Sequence, residues 1–342
     1  MSDKKEVLGD SQRRSFLKGV ALGSAALGAG LVSPSMPVAG LGQQGVARAA
    51  DGRYKMAFIQ WQPHTVPAAW SNGIKEVLDT QNNIDYQLLD GQNKVEVQVS
   101  LMDTLINEGA NVIFLQPIDS VALGPSIKKA RRRGISVITL NIDAAEEHAA
   151  HVEMNHYFGA MDIAKEMGNR MGGKGKVAIL NAPPGIIIRD QRTNGFIDGM
   201  KEHHPNIEIA ADQVADWSRK KAQDVLFNIL TAQPDITGVY GINDSMALGA
   251  VDVAKQKGIL DKMVIFGNDG ERAALESIEN GELTGTQYTD VYQQGRFAGS
   301  VASVLASGGV SAKSFEQQGK LLMPYTIATA ENVSSIQPAQ RW

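Results

Sequence analysis

From Lys55 onward the chain alternates short apolar runs with longer stretches of helical period. The runs lack polar alternation, as strands covered on both faces require; they fall at residues 56–59, 86–89, 112–115, 136–140 and 152–154. A second series occupies residues 176–180, 207–211, 238–241, 263–267, 283–288 and 321–325. One intervening helix has Pro125 in its first turn and Lys128, Lys129, Arg131, Arg132 and Arg133 at its C-terminal end, then Gly134. That order complements the helix dipole and supplies a glycine stop, so the basic run is a solvated helix end rather than a phosphate site.

Alternating strands and helices predict parallel sheets with helices on both faces. Eleven runs are too many for one compact lobe, and a seam appears where a strand ends at Asn155-His156 and a new helix begins. The predicted fold is therefore α/β, with two doubly wound parallel-sheet lobes, each opening at the carboxyl ends of its strands.

The N-terminal segment reads as an address. Arg13-Arg14-Ser15-Phe16-Leu17-Lys18, preceded by Ser11 and Gln12, forms a twin-arginine signal. A weakly apolar Gly- and Ala-rich stretch follows, and Ala47-Arg48-Ala49 offers a cleavage site after Ala49. Residues 1–49 are thus assigned to a signal peptide. No cysteine occurs, which excludes disulfides, thiolate metal sites, cysteine nucleophiles and a lipid-bearing cysteine anchor. An exported protein without that anchor is expected in a periplasm. The net charge of −4 offers no basic field for nucleic acid.

Enzyme signatures fail on inspection. Gly168-x-x-x-x-Gly173-Lys174 is followed by Gly175 instead of a magnesium-binding hydroxyl, and it leads from a helix into a strand, so it reads as a helix stop. Ile59-Gln60-Trp61-Gln62-Pro63 replaces a dinucleotide fingerprint after the first strand. No nucleophile elbow or acid–base carboxylate pair appears. His148, His151 and His156, with Glu147 and Glu153, raise the question of a metal site. Their placement around one strand predicts exposed loop histidines that do not converge. Neither a metal nor another cofactor is expected, nor is an enzyme.

What recurs is polar chemistry just past the strands: Gln60, Trp61, Gln116, Asn141 and Asp143, then Asn181, Trp217, Asn243, Asp244, Asn268 and Asp269, with Thr289 and Asp290 later. Amides and carboxylates satisfy hydroxyls that both donate and accept, and an indole covers a C–H face. A polyhydroxylated ligand, a small sugar or polyol, fits that set.

The stretches Val112-Ile-Phe-Leu-Gln-Pro-Ile-Asp-Ser120, Ile135-Ser-Val-Ile-Thr-Leu-Asn141, Ile229-Leu-Thr-Ala-Gln-Pro-Asp235, Asn243-Asp-Ser-Met-Ala-Leu-Gly249 and Gly267-Asn-Asp-Gly270 carry a family resemblance. From Lys55 to about Ile327 the chain resembles the ribose-type periplasmic sugar-binding proteins of ABC transporters, the type I periplasmic binding proteins. The resemblance implies two lobes joined by three crossovers, near Asn155, Thr289–Asp290 and Gly319–Lys320. The N-terminal lobe would hold residues 54–155 and 290–319, the C-terminal lobe 156–289 and 320–330, with a tail at 331–342.

The same resemblance implies that Asn243 and Asp269 bond sugar hydroxyls and that Trp217 stacks on the ligand. Gln116 stands at a common Asn position, and Thr289 or Asp290 at a hinge Gln position. Arg189 or Asp190 falls near an arginine contact, while Arg192 looks like a scaffold residue before Gly195-Phe196. Asn141-Ile142 replaces the family's Asp-Arg pair, and its paired phenylalanines are absent from His64-Thr-Val-Pro-Ala-Ala69, leaving Trp61, His64 or Trp70 to serve. The pocket is therefore expected to be repurposed from D-ribose. The implied role is the substrate-binding component of an ABC importer, a monomer that delivers its ligand to an inner-membrane permease. The alternative is a periplasmic receptor that presents the ligand to a chemoreceptor or sensor kinase. A repressor of the same fold would need a DNA-binding unit where the export signal stands.

Overall fold

The computed structural model describes residues 52–308, 320–337 and 340–342; the twin-arginine segment lies outside them. Two six-stranded sheets form the framework. In the first, β1 (Tyr54–Gln60), β2 (Ile84–Asp90), β3 (Val112–Leu115), β4 (Ser136–Leu140) and β5 (Ala150–Met154) are joined by α1 (Thr65–Asp79), α2 (Val95–Asn107) and α3 (Gly124–Arg132). Successive residues of β1 show why the run is continuously apolar. Met56 and Phe58 pack into one buried cluster, with Trp70 of α1, while Ala57 and Ile59 pack into another, with Leu105 of α2 and Ile127 of α3. The edge strand β2 needs no such cover, and its residues alternate between exposed and partly buried.

After Asn155 the chain enters the second sheet's territory through α4 (His156–Arg170). There β6 (Gly175–Asn181), β7 (Ile207–Val214), β8 (Ile236–Gly241), β9 (Val264–Asp269) and β10 (Gly285–Tyr288) alternate with α5 (Ile187–His203), α6 (Arg219–Ala232), α7 (Asp244–Gln256) and α8 (Arg272–Glu279). The glycines after α4, Gly172 and Gly173, take φ of 68° and 73°, so the loop that mimics a phosphate site is a helix stop. The order β2-β1-β3-β4-β5 in one sheet is repeated as β7-β6-β8-β9-β10 in the other.

The second crossing follows β10 and leads into α9 (Val291–Ala306), which packs against α1. Glycines permit that closeness: a Cβ on Gly295 would lie 2.2 Å from the Trp70 carbonyl oxygen, and one on Gly73 2.1 Å from that of Tyr292.

The third crossing departs from expectation. The resemblance puts it near Gly319–Lys320, with residues 320–330 in the second lobe, yet β11 (Lys320–Met323) pairs in parallel with β5 in the first sheet. Pro324 then removes an amide donor and ends that pairing. The chain enters the second sheet only as β12 (Thr326–Thr329), antiparallel to β10. The single predicted run at 321–325 is therefore two short strands in two sheets. Nor is the C-terminal segment a loose tail. The Trp342 indole donates to the Thr289 carbonyl (3.1 Å), the Arg272 amide donates to the Trp342 carbonyl (2.8 Å), and Arg341 pairs with Glu279 (2.7 Å).

Candidate functional site

The carboxyl ends of the two sheets are linked by a run of buried polar groups. Asn141, just past β4, accepts from His156 Nε2 through its Oδ1 (2.9 Å). On the ring's other side Arg192 Nε donates to His156 Nδ1 (3.2 Å). Arg192 reaches on through Nη2 to Asp269 Oδ1 (2.5 Å) at the end of β9, and through Nη1 to the Ile242 carbonyl (2.6 Å). An imidazole that accepts from a guanidinium must be neutral there, with its proton on Nε2. Burial and then the Arg192 charge hold His156 well below its ordinary pKa, in agreement with that geometry.

Asn141 and Asp269 both adopt positive φ, 63° and 133°. Such backbone is rare outside glycine and concentrates where side chains must be aimed. Burial pushes the Asp269 carboxyl up, opposed by Arg192 and, from the first lobe, by His64. His64 itself is exposed at the start of α1 and makes no side-chain cap, which leaves its ring available opposite Asp269.

Acidity accumulates behind Asp269. Asp244 is fully buried and accepts from the Gly270 and Glu271 amides (both 2.7 Å) and the Thr286 hydroxyl (2.5 Å). It ties the start of α7 to the loop after β9. Burial and the nearby Asp269 raise its pKa. The same two acids, after burial itself, push Glu271 up to about 8, and its buried Oε1 has no hydrogen-bond partner among the described residues.

The remaining predicted residues divide. Gln116 is buried at the end of β3 and accepts from the Trp61 amide (3.2 Å), while the Trp61 indole turns to Asn93. Trp217 has φ 58° and packs on the second lobe's core, with its Nε1 buried and unpartnered among the described residues. Asn243 caps α7 by accepting from the Met246 amide (2.9 Å) and holds the Trp217 carbonyl through Nδ2 (3.5 Å). Thr289 is buried at the second crossover, and its Oγ1 likewise lacks a partner among the described residues.

Others are turned to structural work. Asp290 caps α9 through the Gln293 amide (3.0 Å) and meets Gln340 of the C-terminal segment (3.4 Å). Arg189 pairs with Asp190 (2.9 Å) and approaches Asp212 (3.8 Å) beside the ends of β6 and β7, apart from the Arg192 run. Trp70, an alternative for the missing aromatic pair, is core: it is fully buried, and its indole donates to Gln294 (2.9 Å).

Asp143 faces away from Asn141's partners. It lies beside His148 (3.3 Å), His151 (3.7 Å) and Lys320 (3.6 Å). Burial raises its carboxyl, but the surrounding His148, His151 and Lys320 outweigh that and hold it at about 2. The expectation of exposed, divergent histidines is corrected here. The β4–β5 loop folds back over the strand, so His148 is nearly buried, His151 is 4% exposed, and both point at the Thr139 hydroxyl.

Sequence reasoning missed His156 as a bridge and read Arg192 as scaffold alone. A signal was present: Arg192 shares the buried face of α5 with Ile188, Gly195, Phe196 and Gly199, where a lone guanidinium needs partners. Gln287 was also missed; it donates to the Asn155 carbonyl (3.2 Å) and so ties the second crossover to the first.

Comparison with known proteins now bears on this geometry. A family model described as a periplasmic binding protein domain matches residues 58–309. The chain is 32% identical over 217 residues to a xylitol-binding protein of Mycolicibacterium smegmatis, a match covering 62% of each chain. It is 32% identical over 200 residues to the ribose import binding protein of Escherichia coli, covering 58% of this chain and 67% of that one. Among solved structures, an ABC transporter periplasmic solute-binding protein from Actinobacillus succinogenes with bound D-allose superposes with a TM-score of 0.75 at 25% identity, over 83% of this chain and 100% of that one.

Proposed function

The chain belongs to the periplasmic binding protein domain family, and from that membership we propose that it is the substrate-binding component of an ABC importer, carrying a small sugar or polyol to a membrane permease. It is a binding protein and not an enzyme. The observation that carries the ligand class is the run Asn141–His156–Arg192–Asp269 at the carboxyl ends of both sheets. It brings an amide and a carboxylate to the carboxyl ends of the two sheets, where the buried Trp217 Nε1 and Thr289 Oγ1 have no partner among the described residues. The relatives are named for xylitol and ribose, and the solved neighbour holds D-allose, which supports the same class.

In this reading Asp269 and Asn243 bond ligand hydroxyls, Trp217 covers a C–H face, and Asn141, Gln116, His64 and Trp61 complete the first-lobe side. A ligand touching both lobes stabilises whichever arrangement brings them together, and so shifts the population toward the form a permease recognises. We assign the Arg13-Arg14 segment to twin-arginine export into the periplasm. Replacing both arginines with lysine should leave uncleaved precursor inside the cell, and normal export would refute that route. The ligand class is tested by a thermal-shift screen against pentoses, hexoses and linear polyols. A ligand at about a hundred times its dissociation constant stabilises by about 2.7 kcal/mol. Absence of any shift would refute the class.

A further inference from the structure

The β4–β5 loop builds a second constellation that sugar binding does not use. His148 Nδ1 lies 2.8 Å from the Glu146 carbonyl, which can only accept, so that nitrogen carries a hydrogen. His151 Nε2 lies 2.7 Å from the Glu153 carboxylate and carries one for the same reason. The other nitrogen of each ring points inward to one place. His148 Nε2 and His151 Nδ1 lie 2.8 and 2.7 Å from Thr139 Oγ1, and 3.3 and 3.7 Å from Asp143 Oδ1. Each of the three side chains offers one donor atom, and those atoms lie within 4.8 Å of one another.

The count of hydrogens does not close. Two imidazole lone pairs and a carboxylate oxygen face one another, and the Thr139 hydroxyl has a single hydrogen for them. Among the described residues, buried Asp143 Oδ1 has no hydrogen-bond partner. Lys320 does not fill the centre, since its Nζ sits on the outer oxygens, 3.6 Å from Asp143 Oδ2 and 3.4 Å from Glu153 Oε1. An electron-rich, largely buried pocket of this kind suits a central cation.

We infer that Asp143, His148 and His151 bind a divalent transition-metal ion of the zinc class, with a water in the fourth position. Bonds of about 2.0–2.2 Å in tetrahedral array put donors roughly 3.3–3.5 Å apart, close to the two separations from Asp143. Histidines whose outer N–H is held by a carbonyl or carboxylate are the usual form of such ligands, because that bond fixes the ring and the tautomer. A bound ion would fasten the 143–149 loop to β4 and β5 two residues from Asn141.

The test uses the purified protein stripped with chelator, then titrated with Zn²⁺ alone by calorimetry and with Co²⁺ alone by visible absorption. One equivalent of Zn²⁺ should bind, and Co²⁺ should give the intense bands of a four-coordinate site. His148→Gln and Asp143→Asn, checked for folding by circular dichroism, should each lower the affinity at least tenfold. His203→Gln/His204→Gln should leave it unchanged, since those neighbouring histidines lie outside the cluster. Absence of saturable binding in the parent would overturn the inference, as would undiminished binding in folded His148→Gln and Asp143→Asn. Loss confined to the His203/His204 variant would overturn it as well.

Discussion

Arg192 decides more of the site than any residue singled out by pattern. Its guanidinium is buried and touches His156, Ile242 and Asp269 at once. Replacing it with methionine keeps much of the volume but leaves Asp269 as an uncompensated buried charge, which costs about 3–5 kcal/mol. Chemical denaturation should show that loss, and ligand affinity should fall with it; a stability within about 1 kcal/mol of the parent would mean that water replaces the contact. Glu271 tests the acidic side. Its carboxyl is raised from 4.5 to about 8, so its contribution to stability is fully present below about pH 4.5 and is lost as pH rises through about 8. Denaturant titrations at about pH 5 and pH 9 should therefore show the parent losing on the order of a few kcal/mol relative to Glu271→Gln. A constant difference between the two proteins would place Glu271 in solvent. Residue types at strand ends were legible in the sequence, but their partners were not. Asp290 and Asn243 read equally well as ligand groups or helix caps, because a cap and a hydroxyl use the same oxygen. His156 and Arg192 gain their roles only when α4 and α5 are packed together.

At the level of elements, the strand pattern was readable because both faces of each central strand are covered. The run at 112–115 coincides with β3 and that at 136–140 with β4. The pattern failed at β11 and β12, where each strand has only four residues, lies at a sheet edge and is partly exposed. There the burial that creates an apolar run is missing, and Pro324 breaks a segment that otherwise looks continuous. The contact between α1 and α9 was also silent, since glycine reads as a weak helix former until its neighbour is known. Gly295→Ala should destabilise the first lobe by at least about 2 kcal/mol, because the new methyl meets backbone that cannot rotate away. A melting temperature equal to the parent's would show that the two helices slide apart at no cost. The β4–β5 loop completes the lesson: three-residue spacing between His148 and His151 says little until the loop folds back on Thr139.

For the whole molecule, the alternation of strands and helices and the seam at Asn155 were enough to expect two lobes, and the sheets switch at that residue. Chain order alone could not show how closely the crossings are laced together. Gln287 binds the Asn155 carbonyl, and Trp342 binds the Thr289 carbonyl, so the first two crossings and the C-terminus meet in one hydrogen-bonded zone. Motion of the lobes must bend that zone, while each lobe's own core stays packed. In the proposed reading one small polyhydroxylated ligand is held by Asp269 and its partners from both lobes. The most direct test of that reading is calorimetric titration of xylitol, D-allose and D-ribose into the parent and into Asp269→Ala. One saturable site is expected for at least one of these compounds, weakened roughly ten- to a hundredfold in the folded variant, because ligand hydroxyls lose a buried acceptor. Saturable binding of equal strength in the parent and in Asp269→Ala, or no binding of any of the three to the parent, would contradict it.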